Sequence, residues 1–327
     1  MIIVTGGAGL IGSAVIWKLN RQGRDDIIVV DHLGSGEKWR NLAPLSFRDY
    51  FEKDDFLRAV TRQGNDMFRS VDAVIHLGAC SSTTETDVSY LIDNNFRYSK
   101  MMALFALERG ARFVYASSAA TYGEGDLGFS ESVALERLRP LNGYGYSKHI
   151  FDRWLQGEGL LERVAGVKYF NVFGPNEHHK GDMRSLVLKA FHQIRSTGRM
   201  SLFRSHRPEY ADGEQLRDFV YVKDAVDMTL FLMEHQEAGG LFNAGSGSAC
   251  SWNRLARALF AALGQEPVID YVDMPEQIRE RYQYHTCADV GRLRRAGYDR
   301  PGTSLEDAVH DYVTEYLIPG RYLGDEN

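Results

Sequence analysis

Thr5-Gly6-Gly7-Ala8-Gly9-Leu10-Ile11-Gly12 lies between an apolar run, Ile2-Ile3-Val4, and a segment of helical period, Ser13 to Leu19. A strand, a glycine-rich turn and a helix in that order form a recurrent pyrophosphate site. Gly6 permits the tight turn, Gly9 lets the backbone approach an anion, and Gly12 lets the helix pack closely. The helix start adds unpaired N–H groups and positive potential. A second β-branched run, Ile27 to Asp31, ends in a carboxylate 19 positions after Gly12, where a ribose hydroxyl is held in such folds. A dinucleotide-binding turn is therefore expected here.

Outward from this turn, short strand-like runs alternate with longer helical segments. The clearest are Ile2 to Thr5, Ile27 to Asp31, Val71 to Leu77, Arg112 to Ser117 and Gly166 to Asn171. Alternation implies a parallel sheet covered on both faces, and Ile27-Ile28-Val29-Val30 and Ala73-Val74-Ile75 are accordingly all apolar. After about Gly174 the rhythm loosens. Arg217 to Val222, Leu241 to Ala244 and Val268 to Val272 read as short strands, Met183 to Arg195 and Trp252 to Leu263 as helices, and Arg204 to Gln215 as a loop. The expected class is α/β, a Rossmann-type doubly wound parallel sheet with a smaller mixed α/β substrate domain. The dinucleotide domain is assigned to 1–173 with a return of the chain at 216–240, the substrate domain to 174–215 and 241–319, and 320–327 to a tail that frays.

Composition narrows the function. Among 327 residues, 38 Lys plus Arg stand against 44 Asp plus Glu, a net charge of -6, so no broad basic surface awaits nucleic acid or an anionic membrane. No apolar run reaches the roughly 18 residues a membrane span needs. Cys80, Cys250 and Cys287 are too far apart for zinc spacing and odd in number, which fits a reducing compartment. With no secretory leader after Met1, a cytoplasmic protein is expected. Glu177-His178-His179 lacks a third ligand at useful spacing, Cys80 lacks a histidine partner, and Glu131 and Glu136 sit in a polar stretch, so no metal, thiol or paired-carboxylate chemistry is assigned.

Ser117 and Ser118 end a strand run, and Tyr144 follows 27 residues beyond Ser117, with Lys148 four further on. On a helix that spacing puts Tyr144 and Lys148 on one face. A free phenol titrates near about 10, so a tyrosine base needs positive neighbours, a role for Lys148 and an oxidised nicotinamide. The serine hydroxyl orients the substrate oxygen. Asp31 favours NAD because it repels a 2′-phosphate, whereas His32, Lys38, Arg40 and Lys53 are near enough in sequence to neutralise one, so the residues leave NAD and NADP open.

Further blocks accompany this set: Gly78-Ala79-Cys80-Ser81-Ser82-Thr83-Thr84-Glu85, Asp93-Asn94-Asn95, Tyr115 to Gly123, Tyr169 to Pro175 and Arg217 to Val222. Over nearly the whole chain the sequence resembles the extended short-chain dehydrogenase/reductases, enzymes of sugar nucleotides. The Ala79 to Glu85 block and His179-Lys180-Gly181 are most similar to the branch that epimerises ADP-linked heptoses. The resemblance implies transient oxidation at C6 with NADP, a ketone that turns over, and reduction on its other face, with no net redox change. It further implies a homo-oligomer, a pentamer, and a product that feeds the lipopolysaccharide core.

The turned ketone needs a second proton-transfer group, and the resemblance gives that role to Lys180. Its pKa must then be lowered by burial or by positive charge from Lys148 or the nicotinamide. The family's cofactor contacts fall on Leu10, Ile11, Asp31, His32, Lys38, Lys53, Leu77, Gly78, Ala79, Cys80, Ser81, Asn94, Lys148, Val172 and Lys180, which favours NADP. Its substrate contacts fall on Asn171, Asp182, Lys189, Phe203, Arg204, Ser205, His206, Arg217 and Tyr282. Asp182 stands where a serine is expected, Lys189 where a histidine is, His32 replaces an asparagine, and the loop Ser205 to Gln215 is longer. Other readings are a different sugar-nucleotide epimerase or 4,6-dehydratase, and a non-catalytic dinucleotide sensor, which usually lacks the Ser/Tyr/Lys set.

Overall fold

A computed structural model describes residues 1–61, 66–279 and 282–325. Twelve strands are described: β1 Ile2–Thr5, β2 Ile27–Asp31, β3 Asp49–Glu52, β4 Ala73–His76, β5 Arg112–Ser118, β6 Ala165–Tyr169, β7 Asn171–Phe173, β8 Met200–Phe203, β9 Leu216–Tyr221, β10 Gly240–Ala244, β11 Ala249–Ser251 and β12 Ile269–Val272. Seven of them form one parallel sheet in the order β10-β6-β5-β4-β1-β2-β3. The order reverses between β1 and β4, and the carboxyl ends on either side of that point open the crevice where such sheets take ligands.

Alternation along β5 shows how both faces are covered. Arg112 points one way and donates Nε to Leu232 O at 2.9 Å in the helix Val222–Glu234. Tyr115 and Ser117 point the other way, each donating a hydroxyl to Asp152 in the helix Gly143–Gly157. The first helix, Leu10–Arg21, packs beside Val222–Glu234, with Lys18 Nζ 2.9 Å from Asp227 Oδ1. With both faces covered, every residue of β1, β2 and β4 is buried.

The second lobe holds β11-β9-β7 and a two-stranded pair, β12-β8, with the helices Leu186–Thr197 and Trp252–Ala262. Four features differ from the expected arrangement. The run Gly166 to Asn171 is two strands, because Phe170 turns to donate its N–H to Ala244 O at 3.1 Å and the chain then leaves the large sheet. Leu241 to Ala244 belongs to that large sheet, beside β6, and β9 belongs to the three-stranded sheet. β3 has an exposed Asp49 and only half-buried partners, so it carries little apolar signal as an edge strand. The tail is not frayed: Leu323 is wholly buried and its N–H donates to Asn176 Oδ1 at 3.0 Å, with the Tyr322 ring 5.4 Å from His178.

The loop from Arg204 to Gln215 is free of helix and strand, as expected, and Ser205 N–H donates across it to Asp212 Oδ1 at 2.8 Å. Among the described residues no helix is long and apolar enough to cross a membrane.

Candidate active site

Gly6 adopts φ +68°, and a Cβ there would lie 2.6 Å from Gly78 N, so the turn admits only glycine against the start of the 78–81 segment. A Cβ on Gly12 would lie 2.1 Å from Gly6 O, so the helix closes onto the turn itself. Gly9 is the N-cap and offers no side chain to the first helical turn, which leaves its amides for an anion. This cradle fits a dinucleotide pyrophosphate. Gly12→Ala is expected to weaken binding of a reduced dinucleotide at least about tenfold in a fluorescence titration. An unchanged dissociation constant would place the phosphates elsewhere.

Asp31 does more than the spacing foretold. Its Oδ2 accepts from Ala8 N at 2.8 Å, and its Oδ1 accepts from His32 N at 2.7 Å and from the Lys38 ammonium. The carboxylate thus braces the glycine turn while standing where a ribose would lie. His32 is exposed and its Nδ1 is 3.0 Å from Glu52 Oε2, and Lys53 Nζ donates to Asn94 Oδ1 at 2.9 Å. Asp31 and Lys38 line the central cleft, whereas His32, Lys53 and Asn94 stand outside its wall.

Asn142 caps the helix Gly143–Gly157 by accepting from Gly145 N at 2.8 Å, and the helix brings Tyr144, Lys148 and Asp152 onto one face. Lys148 Nζ donates to Ala116 O at 2.9 Å. Burial lowers this lysine to about 8, against the opposing influence of Asp152 and Cys80. Burial also raises the Tyr144 phenol above its ordinary value, a hydrogen bond with Ser118 draws it down, and Cys80 raises it further. Without cofactor charge, burial outweighs any help to the phenolate.

The two serines separate. Ser118 is the partner of Tyr144, while the Ser117 hydroxyl donates to Asp152 Oδ2 at 2.8 Å beneath the sheet surface. Both serines line the cleft, but the Ser117 hydroxyl is taken up by Asp152, whereas that of Ser118 is paired with Tyr144. Asp152 also accepts from Tyr115 Oη and Lys168 Nζ, both at 2.8 Å, and the Asp152–Lys168 pair is almost wholly buried. This pair lies outside the residues expected from the sequence. Its available signals were an acid eight positions beyond Tyr144 and a lysine inside an apolar strand.

Lys180 lies in a turn, His178–Met183, whose N–H at Lys180 donates to Glu177 O at 3.0 Å. Burial lowers Lys180, Glu177 raises it and Lys189 lowers it. Burial leads, as expected from the sequence, and the positive neighbour within the chain is Lys189 rather than Lys148. Lys189 is exposed, and its Nζ donates to Asp182 O at 2.6 Å. Next to Lys180, His179 is lowered to about 4 by burial and by the charges of Lys38 and Lys180, so it is neutral at ordinary pH.

One cleft of about 760 Å³ joins these groups. Its wall includes Gly6, Gly9, Leu10, Ile11 and Gly12, the run Leu77, Gly78, Ala79, Cys80 and Ser81, and the residues Ser118, Tyr144, Lys148, Asn171, Val172 and Lys180. Phe219, Trp252, Gln283 and Thr286 close it from the second lobe; none was expected as a site residue, although Phe219 falls in the Arg217 to Val222 block. The remaining expected substrate contacts, Asp182, Lys189, Phe203, Arg204, Ser205, His206, Arg217 and Tyr282, are off this wall. Several gather just behind Trp252. The Arg217 guanidinium lies 5.0 Å from the Tyr282 ring centre and 5.7 Å from that of Trp252, and Phe203 meets Tyr282 at 6.4 Å. Trp252 Nε1 donates to Tyr282 Oη at 2.8 Å, and His206 N–H donates to Tyr284 Oη at 3.0 Å. A buried guanidinium among aromatic rings is suited to a diphosphate and a base. Among the described residues no group of three or more His, Cys, Asp or Glu is placed to hold a metal ion.

A dinucleotide turn and a Tyr/Lys pair sharing one cleft define a nucleotide-dependent enzyme of the doubly wound class. Residues 2–245 match the NAD dependent epimerase/dehydratase family, and the chain belongs to it. The chain is similar to the ADP-L-glycero-D-manno-heptose-6-epimerase of Nitratidesulfovibrio vulgaris Hildenborough, with 54% identity over 97% of this chain and 98% of the relative. It is 45% identical to the protein of that name from Fusobacterium nucleatum, again over 97% and 98% of the two chains. The crystal structure of Helicobacter pylori ADP-L-glycero-D-manno-heptose-6-epimerase superposes with a TM-score of 0.79 at 26% identity, covering 96% of this chain and 95% of that one.

Proposed function

We propose that this chain interconverts ADP-D-glycero-D-manno-heptose and ADP-L-glycero-D-manno-heptose at C6, using NADP. The observation that carries the reading is the meeting of two proton-transfer groups, Tyr144 and Lys180, on one cleft with the dinucleotide turn. The names of the relatives support the heptose. Lys38, which spans from its own loop to Asp31, supports the 2′-phosphate, since a cation there offsets the carboxylate. In the cell the reading places the product in the cytoplasm, as a source of heptose for the lipopolysaccharide core.

A bound nicotinamide would supply reversible hydride acceptance at C6, with no net change of redox state over the cycle. Glycine-turn amides and the Lys38–Asp31 pair would hold the cofactor. Tyr144, as phenolate, accepts the proton of the C6 alcohol, and Ser118 hydrogen-bonds the same oxygen atoms to hold them in line. After the ketone turns, its oxygen meets a second donor, for which Lys180 is poised by burial that eases loss and return of its proton. Arg217 and the rings around it hold the nucleotide end.

Purified protein given the D-glycero epimer should yield the L-glycero epimer, followed by proton NMR, without accumulation of reduced cofactor. Lys180→Met should lower kcat by about 10²- to 10⁴-fold, the range of one proton-transfer group. No turnover of the wild type on this substrate, or full activity of Lys180→Met, would overturn the reading.

A further inference from the structure

Asn176 is the one non-glycine among the described residues with a left-handed backbone, φ +76°, and it is wholly buried. Asparagine is among the few residues that tolerate this region, and a strained, enclosed position four residues before Lys180 calls for a reason. Its amide makes two ties: Nδ2 donates to Ser13 Oγ at 2.9 Å, and Oδ1 accepts from Leu323 N at 3.0 Å. Its main-chain oxygen makes a third, accepting from Asn41 Nδ2 at 2.9 Å.

Each tie leads to a different part of the site. Ser13 lies in the helix of the dinucleotide turn, and its hydroxyl donates to Gly9 O at 2.7 Å. Asn41 ends the short 3-10 turn that begins at Lys38, and its Nδ2 also donates to Ala8 O at 2.8 Å and lies 3.2 Å from His179 Nδ1. Leu323 brings in the C-terminal segment. The glycine turn, the Lys38 loop and the chain end thus converge on one residue at the base of the turn that carries Lys180.

We propose that Asn176 is a positioning residue that holds the Lys180 turn against the dinucleotide turn, with the docked C-terminal segment as one of its supports. The inference rests on the proton-transfer role given to Lys180. Asn176 itself touches no reacting atom. It acts through the placement of the lysine and of the Gly9 carbonyl that Ser13 engages.

The test uses the full chain carrying Asn176→Gly, which keeps the backbone unstrained and deletes both side-chain ties. A companion, Asn176→Asp, keeps the acceptor for Leu323 N–H and should recover part of the loss. A displacement on the order of 1 Å costs up to about 10²-fold, so Asn176→Gly is expected to lower kcat by about 10- to 100-fold with KM for the sugar nucleotide changed less than about threefold. The pH limb assigned to Lys180 should move, and Asn176→Gly combined with Lys180→Met should be no slower than Lys180→Met alone. A variant whose melting temperature falls while kcat and pH profile stay at wild-type values would overturn the positioning role. Should Lys180→Met retain full turnover, the functional reading falls and this inference with it, a result distinct from an impaired Lys180→Met beside an unaltered Asn176→Gly.

Discussion

Tyr144→Phe is expected to lower kcat by about 10²- to 10⁴-fold, the contribution of a positioned general base, with dinucleotide affinity held within about twofold. The change removes one oxygen and leaves the ring, so the cleft keeps its shape. The phenol is the group whose burial raises it and whose Ser118 bond draws it down, and only its deprotonated form accepts the alcohol proton. The rate of the wild type should therefore rise with pH along the limb that belongs to Tyr144, and the phenylalanine variant should lose that limb. Steady-state rates across pH, with a parallel dinucleotide titration, measure both. Full turnover by the variant would transfer the role to another group.

Lys168→Met is expected to destabilise the fold by about 3–5 kcal/mol, the cost of leaving one member of a buried ion pair without its partner. Lys168 Nζ donates to Asp152 Oδ2 at 2.8 Å and also to Thr121 Oγ1 at 2.5 Å, in surroundings closed to water. With the lysine gone, Asp152 retains only the hydroxyls of Tyr115 and Ser117. Adding Asp152→Asn should return much of the loss, because a neutral amide no longer demands a counter-charge. Denaturant titration of the two variants reads the difference. A single variant within about 1 kcal/mol of wild type would show that water or a shifted side chain reaches the carboxylate.

The parts of the site written in local patterns were legible in advance. Glycines at 6, 9 and 12 after a strand, an acid at the end of the next strand, and a tyrosine and lysine four apart each state their geometry within a few residues. What depends on partners distant in sequence was not. Ser117 and Ser118 are adjacent on a strand and both line the cleft, but period alone does not say which hydroxyl Asp152 takes and which is left to Tyr144. The neighbour of Lys180 escaped for another reason: Lys189 is only nine residues on, but the bend at Gly181 between them keeps spacing from stating which side chains meet. Leu241 to Ala244 read correctly as a strand, but its pairing with β6 across some 75 residues carries no local mark. The last residues looked polar and terminal, and only the tertiary contact at Asn176 shows Leu323 as core.

The return of β10 to the large sheet bears on how this molecule can be cut or recombined. The chain departs after Tyr169, supplies much of the second lobe, and comes back to lay Gly240–Ala244 along the outer side of Ala165–Tyr169. A fragment stopping near residue 173 would be born with a bare row of backbone donors and acceptors on its outermost strand, an invitation to self-association. Chimeras between relatives that differ in sugar preference will therefore need paired junctions rather than one, and both halves of the catalytic cleft are inherited together.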